Sequence, residues 1–201
     1  MNTPRLLALQ SFQEIKTETT RKGLHLLIAL VPGIASISFP AVKIMLLAGI
    51  LLYTWLEILR LSGIQVPLVS AVTKIASRPR DEGRFVMGPV TLAFGALLAL
   101  ILFPFPAASA AIYALAFGDS FASLVGRFFG RIRPAFMFGK SLEGSAACFI
   151  AVLTAAFQVS GSLPASFTAA AAATLVEALP LQDYDNLALP LAAGFAVQAF
   201  L

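Results

Sequence analysis

Long runs of consecutive apolar residues occupy most of this chain, and they limit its fold more than any other feature. The run over residues 41–59 is long enough, at about 1.5 Å per helical residue, to cross most of a bilayer core of about 30 Å. A membrane β-barrel would alternate apolar and polar residues, so these runs predict helices, which satisfy their backbone groups internally. With 59% hydrophobic and 12% charged residues, the composition excludes a soluble domain with a wetted surface.

Prolines, glycines and polar residues divide the chain into about seven predicted transmembrane helices. They follow a predicted interfacial amphipathic helix over residues 3–19, which we expect to be retained rather than cleaved as a signal peptide. The predicted spans cover residues 24–39, 41–59, 89–103, 107–126, 143–159, 165–179 and 187–201. Residues 60–88 form a polar interfacial segment, and the alanine-rich sixth span is expected to pack inside the bundle. The prediction is an all-α, polytopic membrane helix bundle in a single domain, residues 1–201.

The charged residues are segregated by this topology. All but one of the 14 Lys and Arg residues fall on one side of the membrane, with Lys43 the exception, and the positive-inside rule makes that side cytoplasmic. The 10 Asp and Glu residues lie on the same side or at its boundary, although that rule does not govern them. A polar site at the cytoplasmic face of the inner membrane would explain their segregation.

Asp119, near the end of the fourth predicted span, is the most informative acidic residue. On a helix it shares a face with small side chains, namely Ala122, Ser123 and Gly126. A phosphate or a metal ion could approach the carboxylate closely there. The alternative is a boundary residue that caps the helix or pairs with Arg127 or Arg131, but intramembrane acids are functional by default.

The segment that follows offers phosphate-binding chemistry. Lys140 and Ser141 resemble the end of a P-loop, but its first glycine would fall at Pro134, which rules that motif out. The two residues still provide a point charge and a hydroxyl donor for phosphate oxygens. Glu143 opens the fifth span, where a carboxylate also interacts favourably with the helix dipole.

Further acids end the sixth span and occupy the turn after it. Glu177, Asp183 and Asp185, brought together with Asp119, would repel one another unless a cation neutralised them, and Mg²⁺ prefers such oxygen ligands. For Asp183 a solvated turn is the preferred interpretation.

Two groups of mixed charge precede these residues. The first group lies at positions i, i+3, i+4 and i+7 of one helix face and consists of Glu18, Arg21, Lys22 and His25. The second group lies at positions i and i+3 and consists of Glu57 and Arg60. Intrahelical ion pairs are the plain interpretation. Polar groups at a membrane boundary are costly without partners, so a role in a site is an equal alternative.

In this order, between spans of the right kind, these residues resemble the CTP-dependent lipid kinases. That family includes dolichol kinase, phytol kinase and the yeast-type diacylglycerol kinase, and is more distantly similar to phosphatidate cytidylyltransferase. The resemblance covers most of the chain and is carried by Glu18-x-x-Arg21-Lys22-x-x-His25, Glu57-x-x-Arg60, Gly118-Asp119-x-x-Ala122-x-x-x-Gly126-x-x-x-Gly130, Lys140-Ser141-x-Glu143-Gly144-Ser145, and Glu177 followed by Asp185-Asn186-x-x-x-Pro190.

The resemblance implies Mg²⁺-dependent transfer of the γ-phosphoryl group of CTP to the hydroxyl of a membrane lipid alcohol, a polyprenol, a phytol-like isoprenoid or diacylglycerol. Phosphoryl transfer requires mainly alignment and charge neutralisation. The implied roles are Mg²⁺ binding by Asp119 with Glu143 or Asp185, nucleotide binding by Lys140, Ser141, Arg131, Arg60, Ser145 and Asn186, and general base catalysis by Asp185, Glu177 or His25.

Two other functions remain as alternatives. A phosphatidate cytidylyltransferase would use the α-phosphoryl group of CTP, and the sequence separates it poorly from a kinase. A small ion-coupled transporter would carry charge near the midplane of broken helices, whereas these charges lie at one boundary. No nucleic-acid partner is expected, and a homodimer is left open.

Overall fold

The computed structural model describes residues 3–67, 70, 71, 73, 77, 81 and 83–201, with side chains from residue 15 onward. Outside the polar segment between Leu61 and Gly88, its α-helices are α1 (Thr3–Leu26), α2 (Leu30–Ile37), α3 (Phe39–Leu61), α4 (Gly88–Leu102), α5 (Phe105–Tyr113), α6 (Asp119–Phe128), α7 (Leu142–Ser160), α8 (Leu163–Glu177) and α9 (Asp185–Gln198). The prediction of an all-helical chain is confirmed for the described residues.

Three helical segments of the described residues are long and apolar enough to cross a membrane. They are Phe39–Leu61, Phe105–Phe128 and Leu142–Ser160, and α4 and α8 are shorter apolar helices. The outward side chains of Leu51, Trp55 and Ile150 are exposed, as expected of surfaces that face lipid. These helices indicate membrane association, while the count of seven spans stays a prediction.

The N-terminal elements differ from the predicted boundaries. The predicted interfacial helix and the start of the first span form one helix, α1, and the break comes at the 3₁₀ turn Leu27–Ala29, inside the predicted span. No proline interrupts residues 19–26, and Lys22 and His25 on this continuous helix are buried against the bundle. Tertiary contacts of these two side chains therefore extend α1 beyond the boundary that hydropathy suggested.

The segment Phe105–Phe128 is the central span of the bundle. Of its most apolar stretch 67% is buried, compared with 17% for Phe39–Leu61 and 28% for Leu142–Ser160. Between α5 and α6 the helix widens into a π-helical turn, Ala114–Gly118, directly before Asp119. Such turns occur frequently at functional sites, and this one was not predicted from the sequence.

The alanine-rich helix α8 packs against α7 and α9 through one face. Ala165, Ala169 and Ala173 are completely buried, while Phe167 and Leu175 on other faces are exposed. Small side chains allow close approach of neighbouring helices in a membrane, so the predicted packing role is confirmed for this face.

The polar segment predicted over residues 60–88 is described in part. Its predicted charged residues Lys74, Arg78, Arg80 and Glu82 lie outside the described residues. Near the end of this segment Val86 is buried, and α4 begins two residues later at Gly88.

Candidate phosphate-binding site

A polar cavity of about 540 Å³ opens where α1, α6, α8 and the loop between α6 and α7 meet. Its size is in the range of small-molecule sites. Its wall carries four cationic and four anionic side chains: Arg21, Arg127, Arg133 and Lys140; Glu18, Asp119, Glu177 and Asp185. Arg127 and Arg133 were not predicted as site residues. Arg127 lies eight positions after Asp119 on the same face of the helix, and this spacing is the signal that could have identified it.

Asp119 is held by two side chains of α1. Its Oδ2 atom contacts the ammonium group of Lys22 and lies 3.1 Å from Nδ1 of His25. All three residues are at most 5% exposed, and the hydroxyl of Ser120 donates to the carbonyl of Lys22 at 3.4 Å. Both side-chain contacts use Oδ2, so neither occupies Oδ1, and Asp119 still lines the cavity.

Glu18 and Arg21, the other two residues of the mixed-charge group on α1, line the cavity. Arg21 pairs with Glu18 through Nη2 and Oε1 at 2.6 Å, one turn apart, and both residues line the wall. The two residues therefore form the intrahelical ion pair of the plain interpretation and also line the cavity, while their role in a functional site stays a prediction.

Asp185 begins α9 at the edge of the cavity and carries a perturbed carboxyl group. Burial, followed by the negative charge of Asp119, raises the pKa of Asp185 to about 6. A carboxyl group in a cavity whose pKa is perturbed by burial and by a specific charged neighbour is a typical feature of a functional site.

Lys140 connects the loop to α8. Its ammonium group lies 3.1 Å from Oε1 of Glu177 and also contacts the backbone carbonyl of Glu177. The hydroxyl of Ser145, on α7, donates to Oε2 of the same carboxylate at 3.3 Å. Three predicted site residues therefore meet in one cluster, although the sequence did not pair them.

Ser141 is the N-cap of α7, and the nearby glycines make room for it. Its hydroxyl accepts a hydrogen bond from the N–H of Gly144 at 3.1 Å. A Cβ atom added at Gly126 or Gly130 would lie 3.0 Å or 2.5 Å from this hydroxyl. The glycine pattern that the sequence places around Asp119 therefore serves the close approach of α6 to the start of α7.

We expect Ser141→Ala to lower the free energy of unfolding by about 1 kcal/mol, because it removes an N-cap acceptor. Ser141→Gly should retain more stability, because glycine is a tolerated N-cap residue and adds no bulk at this closely packed position. Thermal unfolding in detergent measures both, with Ser36→Ala as the control, since Ser36 is exposed and caps no helix start. Equal unfolding midpoints for Ser141→Ala and the unsubstituted protein would contradict the capping role.

Glu143 is half-buried and binds backbone rather than cavity groups. Its carboxylate accepts hydrogen bonds from the N–H groups of Arg131 and Ile132, through Oε1 at 2.9 and 3.1 Å. Neither Glu143 nor Arg131 is among the residues that line the cavity.

Three further predicted residues tie α4 to its neighbours. Glu57 is completely buried; it accepts from Arg60 Nε at 2.7 Å and from the N–H of Val86 at 3.0 Å. The amide of Asn186 donates to Thr91 Oγ1 at 2.9 Å, which joins α9 to α4. Glu57, Arg60 and Asn186 do not line the polar cavity.

The predicted metal ligands are only partly assembled. Asp119 and Asp185 line one cavity, whereas Glu143 lies outside its wall. Within the described ranges no three His, Cys, Asp or Glu side chains are grouped closely enough to hold a metal ion by themselves. Mg²⁺ commonly takes one or two protein carboxylates together with substrate phosphates, so the pair fits a magnesium–nucleotide complex better than a free ion.

Fold and site together define an all-helical, apolar protein with a charged cavity that can accept a polyanion. A probable chloroplastic phytol kinase of Triticum aestivum is similar to this chain, at 31% identity over 140 residues, which cover 61% of this chain and 47% of that protein. The chain thus spans about half the length of the curated relative it matches. No family model and no solved structure matches the sequence.

Proposed function

We propose that this protein is a lipid kinase that transfers the γ-phosphoryl group of CTP to the hydroxyl of a membrane lipid alcohol, at the cytoplasmic face of the membrane. The observation that carries the proposal is the polar cavity, which four cationic side chains line together with Asp119 and Asp185. The similarity to a protein named as a phytol kinase supports an isoprenoid alcohol as acceptor.

The cationic side chains supply the neutralisation that a triphosphate needs. Arg21 and Arg133 come from different elements, so their guanidinium groups can contact separate phosphate oxygens, while Lys140 provides a point charge. Arg133 is fixed by bonds from its guanidinium to the carbonyls of Gly139 at 2.5 Å and Gly126 at 2.7 Å. A preorganised set of donors stabilises developing charge without reorganising during the reaction.

Asp119, through Oδ1, and Asp185 are the residues proposed to hold Mg²⁺. The ion would neutralise phosphate charge and would offset the negative charge of Asp119, which adds to burial in raising the pKa of Asp185. Lys22 and His25 fix the Asp119 carboxylate from behind. For Glu143 we propose a positioning role, because its carboxylate orders the backbone of the loop that carries Arg133.

In the proposed reaction the acceptor oxygen bonds to the γ-phosphorus, and the bond from that phosphorus to the β–γ bridging oxygen breaks. CDP leaves with the bridging oxygen. The hydroxyl proton passes to one of the three candidate bases, Asp185, Glu177 or His25, all of which lie at or beside the cavity.

The proposal is tested by incubating purified protein in lipid vesicles with γ-labelled CTP or ATP and with phytol, a polyprenol or diacylglycerol. We expect label in the isoprenoid alcohols, with CTP as the better donor. α-Labelled CTP with phosphatidate as the acceptor is the matched control, because label from the α-position appears in lipid only if the protein is a cytidylyltransferase. Absence of lipid label from every donor and acceptor pair would reject the kinase.

A further inference from the structure

A second, apolar cavity lies on the other side of His25 from the polar one. It has a volume of about 220 Å³ and is bounded by α1, α3 and α4, with a wall that includes Leu24, Tyr53, Val86, Pro89 and Leu92. Its charged lining residues are Arg21, Asp81 and Asp183, and most of the rest of the wall is apolar. A cavity with a mainly apolar wall accepts hydrocarbon.

The two cavities meet at α1. Arg21 lines both, and His25 lines the apolar cavity while its Nδ1 atom lies 3.1 Å from the Asp119 carboxylate, which lines the polar cavity. A molecule with a hydrocarbon chain and one terminal hydroxyl could therefore place the chain on the apolar side and the hydroxyl between Arg21 and His25. The hydroxyl would then face the phosphate-binding groups.

The cavity is placed to receive such a molecule from the bilayer. Leu24 is 37% exposed on the outer surface of α1, whereas His25 beside it is 3% exposed. The cavity also lies near the charged end of α3, since Glu57 is one turn beyond Tyr53, and the start of α4 contributes Pro89 and Leu92. Charged helix ends are found at the headgroup level of a membrane, where the hydroxyl of a lipid alcohol also resides.

We propose that this apolar cavity is the acceptor subsite, and that it binds the hydrocarbon segment next to the hydroxyl of a single-chain lipid alcohol. The inference rests on the proposed kinase function and adds the location and shape of its acceptor site. At about 220 Å³ the cavity is small for two acyl chains, so we expect a single-chain alcohol to be preferred over diacylglycerol. The hydroxyl of Tyr53 donates to the carbonyl of Val86 at 3.2 Å and fixes the wall opposite α1.

The first test fills the cavity. Leu92→Phe is expected to raise KM for phytol about tenfold, the effect of a small steric change in a hydrophobic pocket, with KM for CTP nearly unchanged. Leu102→Phe is the matched control, because it makes the same substitution on the same helix at a side chain exposed to lipid. Leu24→Phe narrows the cavity from α1 and provides a second variant if Leu92→Phe unfolds in detergent.

The second test does not depend on phosphoryl transfer. A long-chain primary alcohol that carries a photoreactive diazirine near its hydroxyl is added to the protein in vesicles, and labelled residues are located by mass spectrometry. We expect labels on α1 near Leu24 and on α4 near Pro89 and Leu92, reduced by Leu92→Phe. Excess phytol should suppress the labelling more strongly than excess diacylglycerol.

The outcomes separate the two proposals. Labelling of the cavity without transfer from CTP would reject the kinase function and leave the subsite standing. Three results, each obtained with normal transfer, would overturn the single-chain subsite. They are labels elsewhere in the protein, a KM for phytol unchanged in both Leu92→Phe and Leu24→Phe, and equal competition by diacylglycerol.

Discussion

Asp119→Asn is expected to lower the rate of γ-phosphoryl transfer by about 100-fold or more, the usual range for losing a preorganised electrostatic group. The amide keeps the shape of the side chain and an acceptor for Lys22, but it removes the negative charge. Mg²⁺ would lose its charged ligand at Oδ1, and Lys22 and His25 lose their charged partner at Oδ2. The measurement is the initial rate with γ-labelled CTP and phytol at saturating concentrations.

Phe121→Leu serves as the control for Asp119→Asn, since Phe121 lies on the same helix and is exposed. It should retain the rate of the unsubstituted protein. Both variants are compared by their unfolding midpoints in detergent. Turnover of folded Asp119→Asn within a few-fold of normal would remove Asp119 from the site.

Lys22→Met is expected to give the largest loss of stability, about 3–5 kcal/mol, because it leaves the Asp119 carboxylate buried without its cationic partner. Lys22 is 1% exposed, and its ammonium group contacts Asp119 across a sequence separation of 97 residues. The matched control is Lys16→Met, the same change at an exposed position of α1, which should shift stability by less than about 0.5 kcal/mol.

A double variant separates stability from activity at this pair. Lys22→Met with Asp119→Leu removes both charges, so it should recover much of the stability that Lys22→Met loses while remaining inactive. If the double variant is no more stable than Lys22→Met, the contact with Asp119 is not the source of the loss.

Several site residues could be predicted because their signal is local. Asp119, Ser123, Gly126 and Arg127 occupy one helical face, and all four line the polar cavity. Lys140 and Asp185 were likewise selected by charge at the predicted boundary, and the cavity contains both. Periodicity along a single helix and the cost of an isolated charge in lipid are properties that a sequence displays directly.

The positions of other predicted site residues depended on how the helices pack, and the structure places these residues outside the cavity wall. Glu57, Arg60 and Asn186 are polar residues at the same boundary as the cavity residues, yet they lie outside the polar cavity wall. Glu57 binds Arg60 and the segment just before α4, and Asn186 binds α4 itself. Glu143 faces the backbone of the loop before α7, a partner that its own helix position does not reveal. The apolar cavity beside His25 has no sequence signal, because its walls come from three separate helices.

The sequence by itself determined that the chain is helical and suited to lipid, since only internally bonded helices can bury such long apolar runs, and it showed that charge collects at one boundary. Only the tertiary structure decided which charges meet, which turn becomes π-helical, and where a cavity opens. The physical reason is that a helical face is defined by neighbours three or four residues away, whereas the Lys22–Asp119 contact depends on how two distant helices pack.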